Sequence, residues 1–261
     1  MRFALILPAC NEAEALPWVV RELGEHLRKH LPDGVIAVGA NGCTDSTARI
    51  ARDAGVVVGE TARRGYGHGC VAAIAAVRET YPEVEAYLFL AADGANDPAD
   101  LPKLIAAYEA GFPLVLGQRT RLKENITRMT APHVVANRVL GAWCGVLTGR
   151  FFCDLGPFRL ISRSVFEVLE MREWTYGWTI EAQILCARLG VPMAEINVRE
   201  RARVAGEQKV SHVSWKKTLS VGCEILLAGW RSRFRPLKYN RFPCPTPKTL
   251  RLNPKDSPHL I

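Results

Sequence analysis

The chain is 261 residues long, with 48% hydrophobic residues, 23% charged residues and a net charge of +8. Its length and composition are typical of a globular protein with a substantial core. No apolar run reaches the ~18 residues that cross a bilayer, which excludes a membrane-spanning segment from the prediction. The first apolar run, Phe3–Leu7, is too short for a signal peptide and predicts a strand.

The positive charge is concentrated toward the carboxyl-terminal end. From Ser211 onward there are ten Lys and Arg against two acidic residues, a difference of +8 that equals the charge of the whole chain. This distribution favours an anionic membrane surface as a partner. Nucleic acid is disfavoured, because no aromatic-rich nucleic-acid motif accompanies the charge. The eight cysteines lack metal-ligand spacing and predict a reducing, cytoplasmic compartment.

The first half of the chain alternates apolar runs with amphipathic segments. This β-α-β-α rhythm predicts an α/β fold with a mostly parallel sheet and helices on both faces. The predicted strands are Phe3–Leu7, Val35–Val38, Val56–Val58, Ala86–Leu90 and Leu114–Gly117. The predicted helices are Glu12–His30, Asp45–Ala54, Gly67–Thr80 and Asp97–Ala110.

The regular alternation ends after Arg119. Residues 120–130 and 200–213 are predicted to be basic loops. An amphipathic basic helix is expected at 213–234, followed by an extended basic tail at 235–261, where six prolines oppose regular structure. The elements predicted between the loops are helices at Ala131–Leu147, Arg163–Met171 and Thr179–Leu189 and strands at Phe158–Ile161 and Val191–Val198.

Four polar loops follow predicted strand ends, at residues 8–12, 40–45, 63–69 and 93–97. Because the carboxyl ends of parallel strands meet at one edge of a sheet, these loops are expected to form one crevice for a nucleoside diphosphate. A carboxylate there, such as that of Asp93, can hold a divalent cation and through it a diphosphate. Each loop alone is also consistent with turn and helix-cap chemistry.

The motifs, in their order and spacing, resemble the family 2 glycosyltransferases of the GT-A fold. The branch they resemble most is similar to dolichol-phosphate mannose and polyprenyl-phosphate sugar synthases. The resemblance runs from about Phe3 to Ser211 and implies a GT-A nucleotide-diphospho-sugar transferase domain over residues 1–212. The motifs are LPACNEAEALP, NGCTDST, RRGYGHG, AADGANDPADLP, LVLGQR, ANRVLG, CDLGPFRLISR, YGWTIEAQ and RVAGEQKVS.

The resemblance implies a set of donor-binding residues. Pro8 and Glu12 would contact the nucleoside, and Arg64 would lie near the base or the phosphates. Relatives usually carry acids at positions 40 and 41, but Asn41 still offers the base a hydrogen bond. The basic residues implied to face the donor diphosphate or the acceptor phosphate are Arg119, Arg128, Arg203 and Lys209.

The resemblance also implies the catalytic residues. Asp154 and Glu181 match acidic positions near the transfer site, and Asp93 matches the second acid of the Asp-x-Asp metal motif. The structural alternatives are that Asp154 caps a turn and that Glu181 pairs with Arg159 or Arg138.

The expected cofactor is Mg²⁺ or Mn²⁺ held by Asp93, at a site that departs from the family pattern. Ala91 replaces the first acid of the motif, and Ala95 stands where relatives often have a Gln. Asn96 and Asp97 are candidates for partial compensation. Mg²⁺ needs few protein ligands when phosphate and water complete its shell, so activity is compatible with these losses.

The prediction is therefore an inverting glycosyltransferase that moves a sugar from a nucleotide-sugar to polyprenyl phosphate or a related cell-envelope or glycolipid acceptor. It would be cytoplasmic and held at the inner face of the membrane by its basic tail. One alternative is transfer to a glycan hydroxyl, for which Asp154 is the first candidate general base. The other is a family member that binds a nucleotide-sugar without turnover.

Overall fold

The structure of the chain is a computed structural model that describes residues 1–126, 129, 131–206, 215–242 and 259–260. Its described strands form one sheet with helices on both faces. The strands are β1 (Phe3–Ala9), β2 (Gly34–Asn41), β3 (Val57–Thr61), β4 (Ala86–Phe89), β5 (Leu114–Gln118), β6 (Arg159–Ser162), β7 (Met193–Asn197) and β8 (His259–Leu260). Their order across the sheet is β3-β2-β1-β4-β6-β5-β7-β8.

Helices connect most of these strands. A short 3-10 turn, Pro98–Asp100, leads into the fourth helix. Within the described residues, none of the helices has both the length and the apolar content needed to cross a bilayer. The helices are α1 (Leu16–His30), α2 (Thr47–Asp53), α3 (Tyr66–Thr80), α4 (Leu101–Glu109), α5 (Lys123–Ile126), α6 (Ala131–Thr148), α7 (Arg163–Leu169), α8 (Trp178–Leu189) and α9 (Trp215–Phe234).

The sheet is mostly parallel, as the alternation of elements predicts. Strands β3, β2, β1 and β4 run parallel, and β5 is parallel to β7. Strand β6 lies antiparallel between β4 and β5, and β8 is antiparallel to β7 at the edge. The sequence predicts no strand in the tail after residue 235, so strand β8 differs from the prediction. Hydrogen bonding to the edge strand β7 stabilises a strand there despite the prolines nearby.

Alternate side chains of the strands build two apolar cores, one on each face of the sheet. Ile6 and Phe89 face the side covered by α3, α6 and α8, whereas Leu5 and Leu88 face the side covered by α1 and α4. All four side chains are fully buried. This two-sided burial is typical of parallel sheets and leaves the strand ends as the place for ligands.

The backbone of helix α3 approaches the backbone of the sheet directly at two glycines, Gly39 and Gly59. A Cβ on Gly39 would lie 1.9 Å from the carbonyl oxygen of Gly69, and a Cβ on Gly59 would lie 2.0 Å from that of Ala72. Only glycine permits such an approach of two backbones. The contact fixes the start of α3 and the arginine-rich loop before it relative to the ends of β2 and β3.

One helix boundary and one additional helix differ from the prediction, and contacts with distant residues explain both. Helix α1 begins at Leu16 rather than Glu12, because Asn11 has a positive φ of 55° and its side chain bonds to Thr44. A short helix, α5, occupies part of the loop predicted at 120–130. It is anchored by Asn125, whose amide donates to the carbonyl oxygens of Arg119 and Val198.

Candidate active site

The loops that follow β1 and β2 are joined by hydrogen bonds. The Asn11 side chain donates to Thr44 Oγ1 at 3.0 Å and accepts from the Thr44 amide at 2.7 Å. The amide of Glu12 donates to Thr47 Oγ1 at 2.9 Å. These bonds fix the backbone of Glu12 at the carboxyl edge of the sheet.

Asn41, at the end of β2, is bonded to main chain at both ends of its amide. Its Nδ2 donates to the Ala9 carbonyl oxygen at 2.8 Å, and its Oδ1 accepts from the Gly65 amide at 3.0 Å. The side chain is buried, so it joins the end of β1 to the start of α3. Pro8 is half-buried at the end of β1, and Arg64 is exposed on the neighbouring loop.

Arg203 brings two predicted site carboxylates together. Its Nη1 donates to Asp93 Oδ2 at 2.9 Å, and its Nη2 forms an ion pair with Glu12. The Arg203 Nε donates to the Ala205 carbonyl oxygen at 3.0 Å, which holds the guanidinium plane. One cation therefore connects the loop after β1 to the loop after β4.

The surroundings of Asp93 do not fit a metal held by the protein. Its Oδ2 faces Arg203, and its Oδ1 accepts from the Ala95 amide at 3.0 Å. Ala91 and Ala95 offer methyl groups where a metal needs oxygen. In the part of the chain that the structure describes, no three His, Cys, Asp or Glu side chains are grouped to hold a metal ion.

The two residues considered as compensating ligands have structural partners instead. The Asn96 Oδ1 accepts from the Ala91 amide at 2.8 Å. Asp97 caps the 3-10 turn by accepting from the Ala99 amide at 3.0 Å, as its position before proline predicts, and its carboxylate also pairs with Arg199. Both side chains therefore shape the loop that carries Asp93.

Arg119 and Asp154 form a buried ion pair. The Asp154 Oδ2 accepts from the amide and the Nε of Arg119 at 2.9 and 2.8 Å, and its Oδ1 accepts from Nη2 at 2.9 Å. Arg119 Nη1 also donates to Glu200 at 3.2 Å. Burial disfavours the charged guanidinium, but the two carboxylates outweigh burial and raise the pKa of Arg119 above its usual range.

Glu200 is a site residue that the sequence reasoning missed. Its carboxylate pairs with Arg119 and accepts a 3.4 Å bond from Asn96 Nδ2, and its amide donates to Asn125 Oδ1 at 2.8 Å. Burial raises the pKa of Glu200. The available signal was one acid within the basic stretch at 199–203. A role for this acid can be inferred only once the fold places it beside Arg119.

Glu181 lies apart from these contacts, at the start of α8. Its carboxylate accepts from the amides of Arg172 and Glu173 and from Arg235 Nη1 at 2.7 Å. Its hydrogen-bonded cation is therefore Arg235, whereas the sequence suggested Arg159 or Arg138. Burial raises the pKa of Glu181. These contacts brace the loop before α8 against the chain that follows α9.

The remaining predicted site residues, Arg128 and Lys209, lie outside the described residues. Among the described residues, Glu12, Arg203 and Asp93 form one set of contacts, and Asn96, Glu200, Arg119 and Asp154 form a second. Both sets lie at the carboxyl edge of the sheet, and each contains one guanidinium group. Guanidinium groups recognise phosphate oxygens by paired hydrogen bonds, so this edge is chemically suited to phosphate esters. Hydrogen bonds and ion pairs between side chains make most of these contacts.

The chain is similar to known glycosyltransferases over most of its length. The family model described as "Glycosyl transferase family 2" matches residues 4–169. An uncharacterized glycosyltransferase of Mycobacterium tuberculosis is 30% identical over 209 residues, which are 79% of this chain and 88% of that protein. An undecaprenyl-phosphate mannosyltransferase of Micrococcus luteus is 26% identical over 81% of this chain and 88% of its own.

Solved structures share the fold. Glucosyl-3-phosphoglycerate synthase from Mycobacterium tuberculosis, in complex with UDP, has a TM-score of 0.63 and 20% identity over 91% of this chain and 82% of its own. The same enzyme has been solved with Mn²⁺, UDP-glucose and phosphoglyceric acid, with a TM-score of 0.63 and 19% identity over 91% of this chain and 81% of its own. The sequence relatives establish the family and these structures establish the fold: the chain is a GT-A glycosyltransferase that belongs to glycosyl transferase family 2.

Proposed function

We propose that this enzyme transfers a sugar, with inversion, from a nucleotide-sugar to polyprenyl phosphate or a related cell-envelope or glycolipid acceptor. The observation that carries the proposal is the ion-pair bridge from Glu12 through Arg203 to Asp93. It joins two strand-end loops at the sheet edge where α/β folds bind nucleotides. The similarity to an undecaprenyl-phosphate mannosyltransferase supports a lipid-phosphate acceptor.

Donor binding would rely on an exchange of partners by Arg203. In the structure its guanidinium pairs with two carboxylates. A donor diphosphate offers the same guanidinium two negative charges on neighbouring phosphates, whose oxygens match its paired hydrogen bonds. Arg203 would then stabilise the charge that develops on the leaving diphosphate. Pro8, Arg64, Asn41, Arg128 and Lys209 are further proposed donor or acceptor contacts.

The bonding of Asp154 favours a phosphate acceptor over a hydroxyl acceptor. A hydroxyl acceptor needs a general base, and Asp154 was the first candidate. Both of its oxygens already accept charge-assisted bonds from Arg119, so the carboxylate is engaged by a cation rather than directed at an acceptor hydroxyl. A phosphate acceptor is already ionised and needs no such base. Asp154 would instead hold Arg119 in place for a phosphate group.

Three further expectations from the sequence belong to the same proposal. Mg²⁺ or Mn²⁺ would arrive with the donor diphosphate, since the described residues do not build a site for the ion, and no step above depends on it. The enzyme would be cytoplasmic and peripheral to the inner face of the membrane. Its basic tail would contact anionic lipids there.

Binding of a nucleotide-sugar without turnover is the second candidate function. It is favoured by Ala91 and Ala95, which leave Asp93 without the usual ligands beside it. Both candidates require donor binding, so donor binding is the first test and transfer the second.

The donor test is a thermal-shift screen of nucleoside diphosphates and nucleotide-sugars, with and without Mn²⁺. A true donor at a hundred times its Kd stabilises the fold by about 2.7 kcal/mol and stands out among the nucleotides. No stabilisation by any of them would contradict both candidate functions. With the donor known, labelled sugar is supplied with a short polyprenyl phosphate or with glycan acceptors. Label only on the lipid phosphate supports our proposal, and binding without any product supports the second candidate.

A further inference from the structure

Helices α6 and α9 expose apolar side chains on one shared side. The exposed fraction reaches 71% for Val146 on α6 and is 50% for Trp230 on α9. The members recur at helical spacing, so each helix presents a single stripe. The residues of this α6–α9 face are Val135, Val139, Val146, Leu227, Trp230 and Phe234.

Aromatic contacts join the two stripes into one surface. The Trp143 and Trp230 rings stack with centroids 6.5 Å apart, and the Trp143 indole donates to the Leu226 carbonyl oxygen at 3.2 Å. Trp230 and Phe234 are also in contact, with centroids 4.5 Å apart. Contiguous exposed apolar patches of this kind mark interaction surfaces.

The charge around the α6–α9 face is positive. Among the side chains of α6 and α9 that the structure describes there are three arginines (Arg138, Arg231 and Arg233) and one acid, Glu224; Arg231 pairs with Glu173 on the loop before α8. The Arg233 guanidinium lies 5.4 Å from the centre of the Phe234 ring. Apolar and aromatic residues bordered by Lys and Arg are the composition of surfaces that lie in the headgroup region of anionic membranes.

The face is connected to the candidate active site through the inner side of α6. Asn137, between exposed Val135 and Val139, accepts from the Leu155 amide at 3.2 Å. Leu155 follows Asp154, the partner of Arg119. A membrane in contact with α6 would therefore lie close to the segment that we propose to meet a lipid-borne phosphate.

We infer that the α6–α9 face docks onto the surface of an anionic lipid bilayer. The inference rests on the proposed membrane-bound acceptor, and it names the surface of the enzyme that contacts the membrane holding that acceptor. The face lies outside the basic tail at 235–261, so docking survives removal of the charge of that tail. The apolar stripes enter the headgroup region, and the neighbouring arginines pair with lipid phosphates.

The test is co-sedimentation of the full chain with vesicles of phosphatidylcholine alone or mixed with phosphatidylglycerol. Val146→Glu combined with Phe234→Glu places two carboxylates on the face at exposed positions. The matched control is Lys29→Glu, which changes the charge by the same amount at the exposed end of α1. Val139→Glu combined with Leu227→Glu is an independent second pair on the face.

The wild type and Lys29→Glu are expected to sediment with the mixed vesicles, whereas either pair weakens binding about tenfold or more. Equal binding by wild type and both pairs would overturn the inference, as would no binding by the wild type. A stable wild-type dimer that both pairs convert to monomer would also overturn it, because a second copy would then cover the face. Donor binding is measured in the same proteins. If none of these proteins, including the wild type, binds a donor while vesicle binding is as expected, the proposed transfer is refuted but the docking is not.

Discussion

Arg203 donates to Asp93 at 2.9 Å across 110 residues of sequence. The same guanidinium pairs with Glu12, and Arg119 is bound in a similar way by Asp154 and Glu200. Two arginines thus face four carboxylates, a formal sum of −2. A donor diphosphate is itself anionic, so its binding requires that arginines leave their carboxylates or that other cationic groups or a metal ion balance its charge.

Two replacements of Arg203 should separate what its charge and its guanidinium geometry each contribute to nucleotide affinity. Arg203→Gln removes the cation that joins Glu12 and Asp93, and with it a phosphate partner. Affinity for the nucleoside diphosphate should fall by about 10- to 100-fold, and Arg203→Lys should restore part of the loss. Isothermal titration calorimetry measures both. Arg163→Gln, which removes a half-buried guanidinium paired with Glu167 away from the candidate site, is the control and should bind like the wild type.

Replacement of Asp154 should distinguish a positioning role from that of a base. Asp154→Asn keeps the side-chain shape but cannot balance the charge of Arg119. If Asp154 positions Arg119 for a phosphate, the KM for the acceptor should rise by about tenfold or more, with a smaller change in kcat. A loss confined to kcat, with the dependence of kcat on pH also removed, would indicate a general base instead.

Replacement of Glu181 should affect stability rather than transfer. Glu181→Gln weakens the bonds from two backbone amides and from Arg235. The expected cost is about 1–3 kcal/mol of unfolding free energy, measured by urea denaturation. At a temperature where the variant is folded, donor affinity and kcat should match those of the wild type. A large fall in kcat in the folded variant would instead assign Glu181 a role in the chemistry.

Asp100 should make stability depend on pH. Its buried carboxylate accepts from Arg199 and Lys103; burial alone would raise its pKa, but these bonds outweigh burial and lower the pKa of Asp100. A lowered acid pKa stabilises the fold above the unfolded value of about 3.9, and the contribution is lost as pH falls through the folded value. Asp100→Asn should therefore cost about 1–3 kcal/mol near neutral pH.

The measurement for Asp100 is urea unfolding of the wild type and Asp100→Asn from about pH 7 downward. The difference between them should shrink once the pH falls below about 4. A difference that stays constant over this range would show that the hydrogen bonds of Asp100 matter but its charge does not.

Local pattern predicts most of the fold because alternating apolar runs and amphipathic segments have few stable arrangements. The positions of β1 to β5 follow from it closely. The antiparallel direction of β6 does not, because a short apolar run looks the same in either direction. The start of α1 also escapes prediction: Glu12 is a good first-turn residue, but Asn11 is held in a turn by Thr44, 33 residues away.

The candidate site is predictable where a charged residue lies in a motif whose chemistry that residue type serves. The cluster of Glu12, Asp93 and Arg203 joins three segments that the sequence had singled out. Glu200 could not be found in this way, because its partner Arg119 is 81 residues away and ion pairs leave no local pattern. Asn41 was expected to face the base, yet both ends of its amide are bonded to main chain.

The close approach of α3 to β2 and β3 limits how this enzyme can acquire a new donor. At Gly39 and Gly59 any side chain would meet a backbone carbonyl, so single substitutions there can only displace the helix and its arginine-rich loop. Selection for a different nucleotide at the proposed donor site would then act on exposed residues of that loop, such as Arg63 and Arg64. A library randomised at these exposed positions should yield folded variants far more often than one randomised at the two glycines.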